Sequence, residues 1–285
     1  MSDIAEPRVT DAEALEEASD FDARLAKRLP PRKFDVMEEY YWPLTTFGAK
    51  GDPAFRCTNK YHFYKRHLDH LKEFAGKRVL NVACGTGELS LYLAHIGCDV
   101  VSFDFSPKSV EYAREMARIN GVEDKIQVDE MDIRDLTYAD ESFDVVTGEA
   151  ALHHIIKYDN CFENIYRVLK PGGVTLFTEN FEFDPLIRLL RPINWYLKGY
   201  VGEYSLQRSD IEYAQRVFDE VEITDHAVIY TYARFFGTPS PFNRFMARSL
   251  RRADEIVLPT LPFLKRFFSL AYLQMHKAPV DGSAS

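Results

Sequence analysis

The 285-residue chain is 46% hydrophobic and 28% charged, which predicts a sizeable core and excludes global disorder. A formal net charge of −9 speaks against general nucleic-acid binding, which needs a basic face. There is no run of about 18 apolar residues, so no membrane span is expected. Four cysteines without paired metal spacing (Cys57, Cys84, Cys98, Cys161) fit a reduced, cytoplasmic setting.

The length suits one large α/β domain with additions. Residues 1–33 read as an acidic, partly mobile lead. Eight acids stand among residues 1–24 against Arg8 and Arg24, without the apolar core of a secretory leader. Residues 34–74 are rich in aromatics, among them Phe34, Tyr40, Tyr41, Trp42, Phe47, Phe55 and Tyr61. They read either as a helical flap packing rings on the core or as a lid over a ligand site.

From Lys77 the pattern becomes regular. Apolar runs at 78–83, 98–104, 125–132, 142–150 and 174–180 alternate with helical spacing at 88–96, 109–121 and 160–173, the last ended by Pro-Gly-Gly. A helix at 208–218, with Ser209 or Asp210 as cap, and strands at 221–230 and 267–277 complete the pattern. This alternation predicts a doubly wound, mostly parallel, seven-stranded α/β sheet with right-handed crossovers. Two insertions interrupt it, at about 181–206 and 237–266, and residues 278–285 form a tail.

In such a sheet, ligands sit outside the carboxyl ends of the strands. The first strand ends in A-C-G-T-G (83–87), where Gly85 and Gly87 permit close backbone approach. The third place of a G-x-G-x-x-G pattern is Ser90, and Asn81 stands in the strand where an acid is expected. Asp104 ends the second strand, 17 residues beyond Gly87, suitable for a carboxylate accepting both hydroxyls of a ribose. Asp132 ends the third and is placed to accept from an exocyclic amino group, with Ile133 packing on a flat base. Glu149 ends the fourth and leads to L-H-H-I at 152–155.

Five stretches, V-L-N-V-A-C-G-T-G-E, V-V-S-F-D-F-S-P-K-S-V-E-Y-A-R, M-D-I-R-D-L, S-F-D-V-V-T-G-E-A-A-L-H-H-I and Y-R-V-L-K-P-G-G-V-T-L-F, follow one another in this order. Together they resemble the class I S-adenosylmethionine-dependent methyltransferases, and are similar to the small-molecule branch that includes quinone C-methylases. The likeness spans residues 75–180 closely, and 208–230 and 267–277 more loosely. It implies a Rossmann-like methyltransferase fold with helical cap insertions and S-adenosylmethionine as cofactor. The loop around Ala83, Gly85 and Gly87 would cradle the methionine part, and Asp104 the ribose hydroxyls with Phe105 against the adenine. Asp132 and Ile133 would bind the adenine edge, and Glu149 would lie near the sulfonium through its backbone. Two positions depart from the family pattern: Asn81 replaces an acid, which implies weaker cofactor binding, and Ala83 often replaces a glycine.

Methyl transfer needs positioning above all, and a base only when the acceptor must lose a proton. His153 and His154 follow the fourth strand and are the candidate bases, the alternative being that they pack or cap the adjoining helix. Glu179 and Asn180 end the fifth strand, where they meet either a substrate or neighbouring loops. No third ligand accompanies the histidines, so no metal is predicted.

The insertions mix apolar and basic groups. On a helix from Phe242, the residues Phe242, Phe245, Met246, Leu250 and Val257 form one stripe, with Arg244, Arg248, Arg251 and Arg252 opposite. Residues 231–270 carry seven bases against Asp254 and Glu255, a local +5 on an acidic chain. Either this is an ordinary amphipathic cover with a solvated basic face, or 237–268 makes peripheral contact with an anionic membrane.

The expected activity is methylation, at oxygen or carbon, of a hydrophobic or lipid-like small molecule. The alternatives are a non-catalytic protein keeping the fold, or N-methylation of a polar metabolite. A nicotinamide dehydrogenase is disfavoured, because Ser90 breaks the glycine pattern and no Tyr-x-x-x-Lys set is present.

Overall fold

The computed structural model describes residues 69–190, 204–232 and 241–280, together with positions 15, 16, 19, 22, 23, 25 and 30–33. The aromatic stretch 34–64 and parts of both insertions lie outside the described residues. The elements are β1 (Arg78–Asn81), α1 (Glu88–His95), β2 (Asp99–Asp104), α2 (Pro107–Asn120), β3 (Ile126–Glu130), β4 (Phe143–Glu149), α3 (Leu152–Ile155), α4 (Cys161–Val168), β5 (Leu169–Asn180), α5 (Arg208–Val217), β6 (Glu220–Ala227), α6 (Pro241–Thr260) and β7 (Leu270–His276).

Seven strands form one sheet in the order β3-β2-β1-β4-β5-β7-β6, parallel except for β7, which runs antiparallel to both β5 and β6. The predicted doubly wound architecture is therefore present. The inner strands are apolar on both faces because helices cover both sides. One core cluster gathers Val79, Val100, Val110, Met116 and Tyr272, and a second gathers Leu80, Phe103, Phe143, Phe162 and Leu273. The strand order reverses between β1 and β4, so their carboxyl ends open a crevice where a ligand is expected.

Local chemistry sets the helix ends. Ser106 caps α2, its hydroxyl accepting from the Ser109 amide, with Pro107 opening the helix and Gly121 closing it at φ 71°. The cap of α5 is Gln207, not Ser209 or Asp210. Asp210 lies inside the first turn and its carboxylate accepts from the Gln207 amide at 2.7 Å.

In three places the boundaries differ from the sequence expectation by three residues or more. Helix α4 stops at Val168, and Lys-Pro-Gly-Gly belongs to β5 rather than to the helix end. Leu169 pairs with Phe143, and a register shift follows before Val145 meets Val174. A side chain at Gly173 would meet the Lys170 carbonyl at 2.7 Å, so the bulge requires glycine there. Strand β6 ends at Ala227 instead of continuing to 230, because the amides of Val228, Ile229 and Tyr230 turn to the buried Asp254 carboxylate, at 3.3, 2.8 and 2.9 Å. Strand β7 begins at Leu270, with Phe268 diverted into a ring cluster with Phe181, Phe183 and His226.

The same Asp254 fixes the rotation of α6 about its axis. Arg251, Asp254 and Leu258 point inward and are buried, with the Arg251 guanidinium 3.3 Å from Glu255. Arg251 therefore leaves the solvated basic face predicted for it, while Phe242 and Phe245 are exposed beside Arg248 and Arg252. No helix among the described residues is long and apolar enough to cross a membrane.

Asp254→Ala strands three backbone donors in the interior. Urea unfolding should show it destabilised by about 3 kcal/mol, whereas Glu255→Ala at the exposed end of the Arg251 pair changes stability by less than about 1 kcal/mol.

Candidate active site

The glycine loop leaves β1 through Val82, whose amide donates to the Thr147 carbonyl of β4 at 2.9 Å. The Cys84 amide then donates to Phe103 of β2 at 2.9 Å, so the loop is tied to both neighbouring strands. Ala83, Gly85 and Gly87 all have positive φ, 46°, 53° and 84°. At Ala83 this costs about 1 kcal/mol for an L-residue, which accounts for the preference for glycine at that place. A Cβ on Gly87 would sit 3.0 Å from the Ala113 Cβ, so α1 and α2 approach closely only with glycine there. Burial holds the Cys84 thiol well above its ordinary value, and Cys84 stays a neutral packing group in the loop.

Asn81 and Ser90, the two departures from a nucleotide-type pattern, are partners. The Asn81 side-chain amide donates to the Ser90 hydroxyl at 2.9 Å, which lies 2.8 Å from the Ser102 hydroxyl, and all three residues are buried. This chain of contacts stitches β1, α1 and β2 together below the loop.

Asp104 stands at the end of β2. One carboxylate oxygen accepts from the Gly85 amide at 2.8 Å and the other from the Ser106 amide at 2.9 Å. Each oxygen keeps a further lone pair, the arrangement a vicinal diol needs. Burial raises the Asp104 carboxyl above the ordinary range, while the Ser106 and Gly85 amides and nearby His154 pull it down. Phe105, next along, is 39% exposed, an apolar surface left open beside that carboxylate.

Past β3 the geometry differs from the simple expectation. The Asp132 carboxylate is held by Arg134, whose Nε lies 3.1 and 3.0 Å and whose second guanidinium nitrogen lies 2.7 Å from its oxygens. Ile133 is buried in the second core cluster. The D-x-R spacing was the signal for this pair.

At the ends of β4 and β5 the structure assembles a unit that the sequence only hinted at. Glu179 is fully buried. One of its oxygens accepts from the Ala151 and Leu152 amides at 2.9 and 2.6 Å, and the other lies 2.7 Å from His153 Nδ1. An ionised carboxylate can only accept, and against it His153 donates from Nδ1, which leaves Nε2 as the ring's acceptor. His153 is itself buried, and His154 stacks on it with ring centroids 4.1 Å apart. Glu149 closes β4 and is followed by Ala150 at φ 51°, a second strained turn at the crevice. An acid ending the apolar run V-T-L-F-T-E was the signal for Glu179.

The N-terminal lead also reaches this region. The Ser106 hydroxyl donates to Asp22 at 2.6 Å, and Lys108 lies 3.3 Å from the same carboxylate. Among the described residues, no three His, Cys, Asp or Glu side chains are placed to hold a metal.

A strained glycine loop at the switch point, with an oriented carboxylate on the next strand, defines a domain that binds a nucleoside-bearing cofactor. The chain belongs to the methyltransferase-domain family, whose model matches residues 73–219, and its class is that of the S-adenosylmethionine-dependent methyltransferases. It is 35% identical to a demethylmenaquinone methyltransferase of Lactobacillus johnsonii over 129 residues, covering 44% of this chain and 53% of that one. It is 30% identical to the sterol 24-C-methyltransferase of Aspergillus fumigatus over 141 residues, 48% and 37% of the two chains. The chain spans about half the length of the curated relatives it matches. Two solved structures share the fold: a geranyl diphosphate C-methyltransferase from Streptomyces coelicolor (TM-score 0.56, 12% identity, covering 95% and 99% of the chains) and the [4+2]-cyclase SpnF (TM-score 0.53, 18% identity, 93% and 94%).

The residues present fit S-adenosylmethionine: Asp104 retains lone pairs for the ribose, Phe105 offers an open ring, and the Gly85–Gly87 backbone admits close approach. Asp104→Ala should weaken cofactor binding about 100-fold by calorimetry. Wild-type affinity should be highest where the carboxylate is ionised. It should fall on acidification, beginning at a higher pH than an ordinary aspartate gives, as Asp104 takes up a proton and loses an acceptor.

Proposed function

We propose that this protein transfers a methyl group from S-adenosylmethionine to an oxygen or carbon atom of a hydrophobic, lipid-like small molecule. The observation that carries the reading is the buried His153–Glu179 pair at the ends of β4 and β5. An amine acceptor needs only to be neutral, whereas a hydroxyl or an activated carbon must surrender a proton. A histidine locked by a carboxylate into one tautomer is suited to take it.

When bound, the cofactor supplies a methyl group on a sulfonium, an electrophile with an excellent leaving group. Asp104 and the loop at Ala83, Gly85 and Gly87 would hold it, with Phe105 beside its adenine and the Glu149 backbone near its sulfonium end. His153 Nε2 accepts the proton that leaves the acceptor's O–H or C–H bond, and Glu179 offsets the charge that the imidazole gains. The Ala151 and Leu152 amides keep Glu179 in place, so the base is oriented before substrate arrives. His154, stacked on His153, limits the ring's freedom to turn.

An apolar acceptor is supported by the region beyond β5. Phe181, Phe183, Phe268 and His226 form a ring cluster there, with centroids 4.6–5.6 Å apart, and Leu186 and Leu189 are exposed on the following helical turn. The names of two relatives, after a demethylmenaquinone and a sterol, agree with such a substrate. A second reading, in which the fold is kept without methyl transfer, is favoured by one feature: Asn81 lacks the charge of the usual acid, and its amide is committed to Ser90.

Labelled cofactor incubated with a total lipid extract should yield an apolar product heavier by one CH2 group. A Gly85→Arg control should yield none, and no signal above that control would favour the second reading. On the identified substrate, His153→Ala should lower kcat about 100-fold or more, with cofactor affinity unchanged. Glu179→Gln keeps an acceptor for the Ala151 and Leu152 amides and should lower kcat about 10-fold or more.

A further inference from the structure

Helix α6 and the turn after it present a face whose residues the fold does not use. Phe242 is 63% exposed, Phe245 64%, Ile256 70%, Leu261 43% and Phe263 55%, a concentration of large apolar groups that monomeric surfaces rarely carry without a partner. Arg248, Arg252, Lys265 and Arg266 are exposed among them. The Arg266 guanidinium lies 4.7 Å from the Phe267 ring centre and 6.0 Å from that of Phe263, so cation and ring share one surface. The acids of the helix do not oppose them equally. Asp254 is buried under its three amides, and Glu255 is paired with Arg251. The inward rotation enforced by Asp254 is what leaves Phe242, Phe245 and Ile256 facing outward.

We propose that this face seats the protein on an anionic phospholipid bilayer, with α6 lying in the interfacial plane. Charge complementarity selects that occupant. The chain as a whole carries −9, so a negatively charged surface repels it overall, and the locally basic α6 region is suited to meet such a surface. Rings and aliphatic chains interleaved with arginine and lysine match the boundary between acyl chains and headgroups, where each kind of group finds its own layer. A folded partner protein with an acidic groove would satisfy the charges but offers less reason for apolar groups spread along both the helix and the turn. The proposal is separate from the methyl-transfer reading, because vesicle binding is measured without methyl acceptor or turnover.

The test is co-sedimentation of the full chain with vesicles of phosphatidylcholine alone or mixed with phosphatidylglycerol. The protein should sediment with the mixed vesicles, far less with neutral ones, and less as salt rises. The double variant Phe242→Ser with Phe245→Ser should bind about tenfold more weakly. Arg248→Glu with Arg252→Glu should lose about tenfold or more. Both should keep the wild-type melting temperature and cofactor affinity, since all four side chains are exposed. Absence of sedimentation with the mixed vesicles would overturn the proposal, as would equal binding to neutral vesicles or variants that bind like wild type. So would light scattering showing a dimer that the phenylalanine variant dissociates, because a second copy would then cover the face.

Discussion

The hydrogen bond of 2.8 Å from the Gly85 amide to the Asp104 carboxylate, next to that from the Cys84 amide to Phe103, joins the first two strand ends into one wall of the crevice. The glycine loop emerges from β1 and the acid from β2, and parallel pairing from Arg78–Asp99 to Asn81–Ser102 delivers both at the same height. Beneath them the Asn81–Ser90–Ser102 chain of polar contacts locks α1 against the same two strands. The loop can therefore hold three positive-φ residues without collapsing, because packing below and the carboxylate beside it over-determine its path. The cofactor pocket depends on that wall being formed before any ligand arrives.

Three buried or half-buried acids divide the work of ending strands. Asp104, Glu179 and Asp254 each accept backbone amides where a strand or loop turns away from the sheet. Their surroundings separate their roles. Asp254 is enclosed by α6 and the chain after β6 and serves only to hold them. Asp104 retains lone pairs and stands beside an open ring, while Glu179 spends its second oxygen on a histidine. Burying carboxylates is costly unless they are fully hydrogen-bonded, and here that requirement also orients the crevice chemistry.

Most of the architecture was legible in the sequence because the pattern is local. Apolar runs and helical spacing give the seven strands, Gly121 closes α2, and the strand-end rule points to Gly85, Asp104 and the L-H-H-I stretch. What escaped was decided by contacts between distant segments. The Lys-Pro-Gly-Gly stretch reads as a helix end with a turn, yet Leu169 finds Phe143 and the stretch becomes a strand with a bulge. The rotation of α6 depends on amides at 228–230, some 25 residues earlier, so helical periodicity alone put Arg251 on the wrong side. The bond from Asn81 to Ser90 was hidden because Ser90 was read only as a missing glycine. The His153–Glu179 pair spans 26 residues, and only the parallel placement of β4 beside β5 brings it together.

The position of β7 has a consequence for assembly. It lies between β5 and β6 and, among the described residues, is the only strand that β6 pairs with. As the ribosome delivers the polypeptide, β6 emerges with both of its hydrogen-bonding edges empty, and β5 with one. They stay so for more than forty residues, until Leu270–His276 arrives to fill the gap. The nascent chain thus passes through a stage in which the two edges that β7 will join lie open, when premature strand pairing with a neighbour is the hazard and a chaperone or fast release is the remedy.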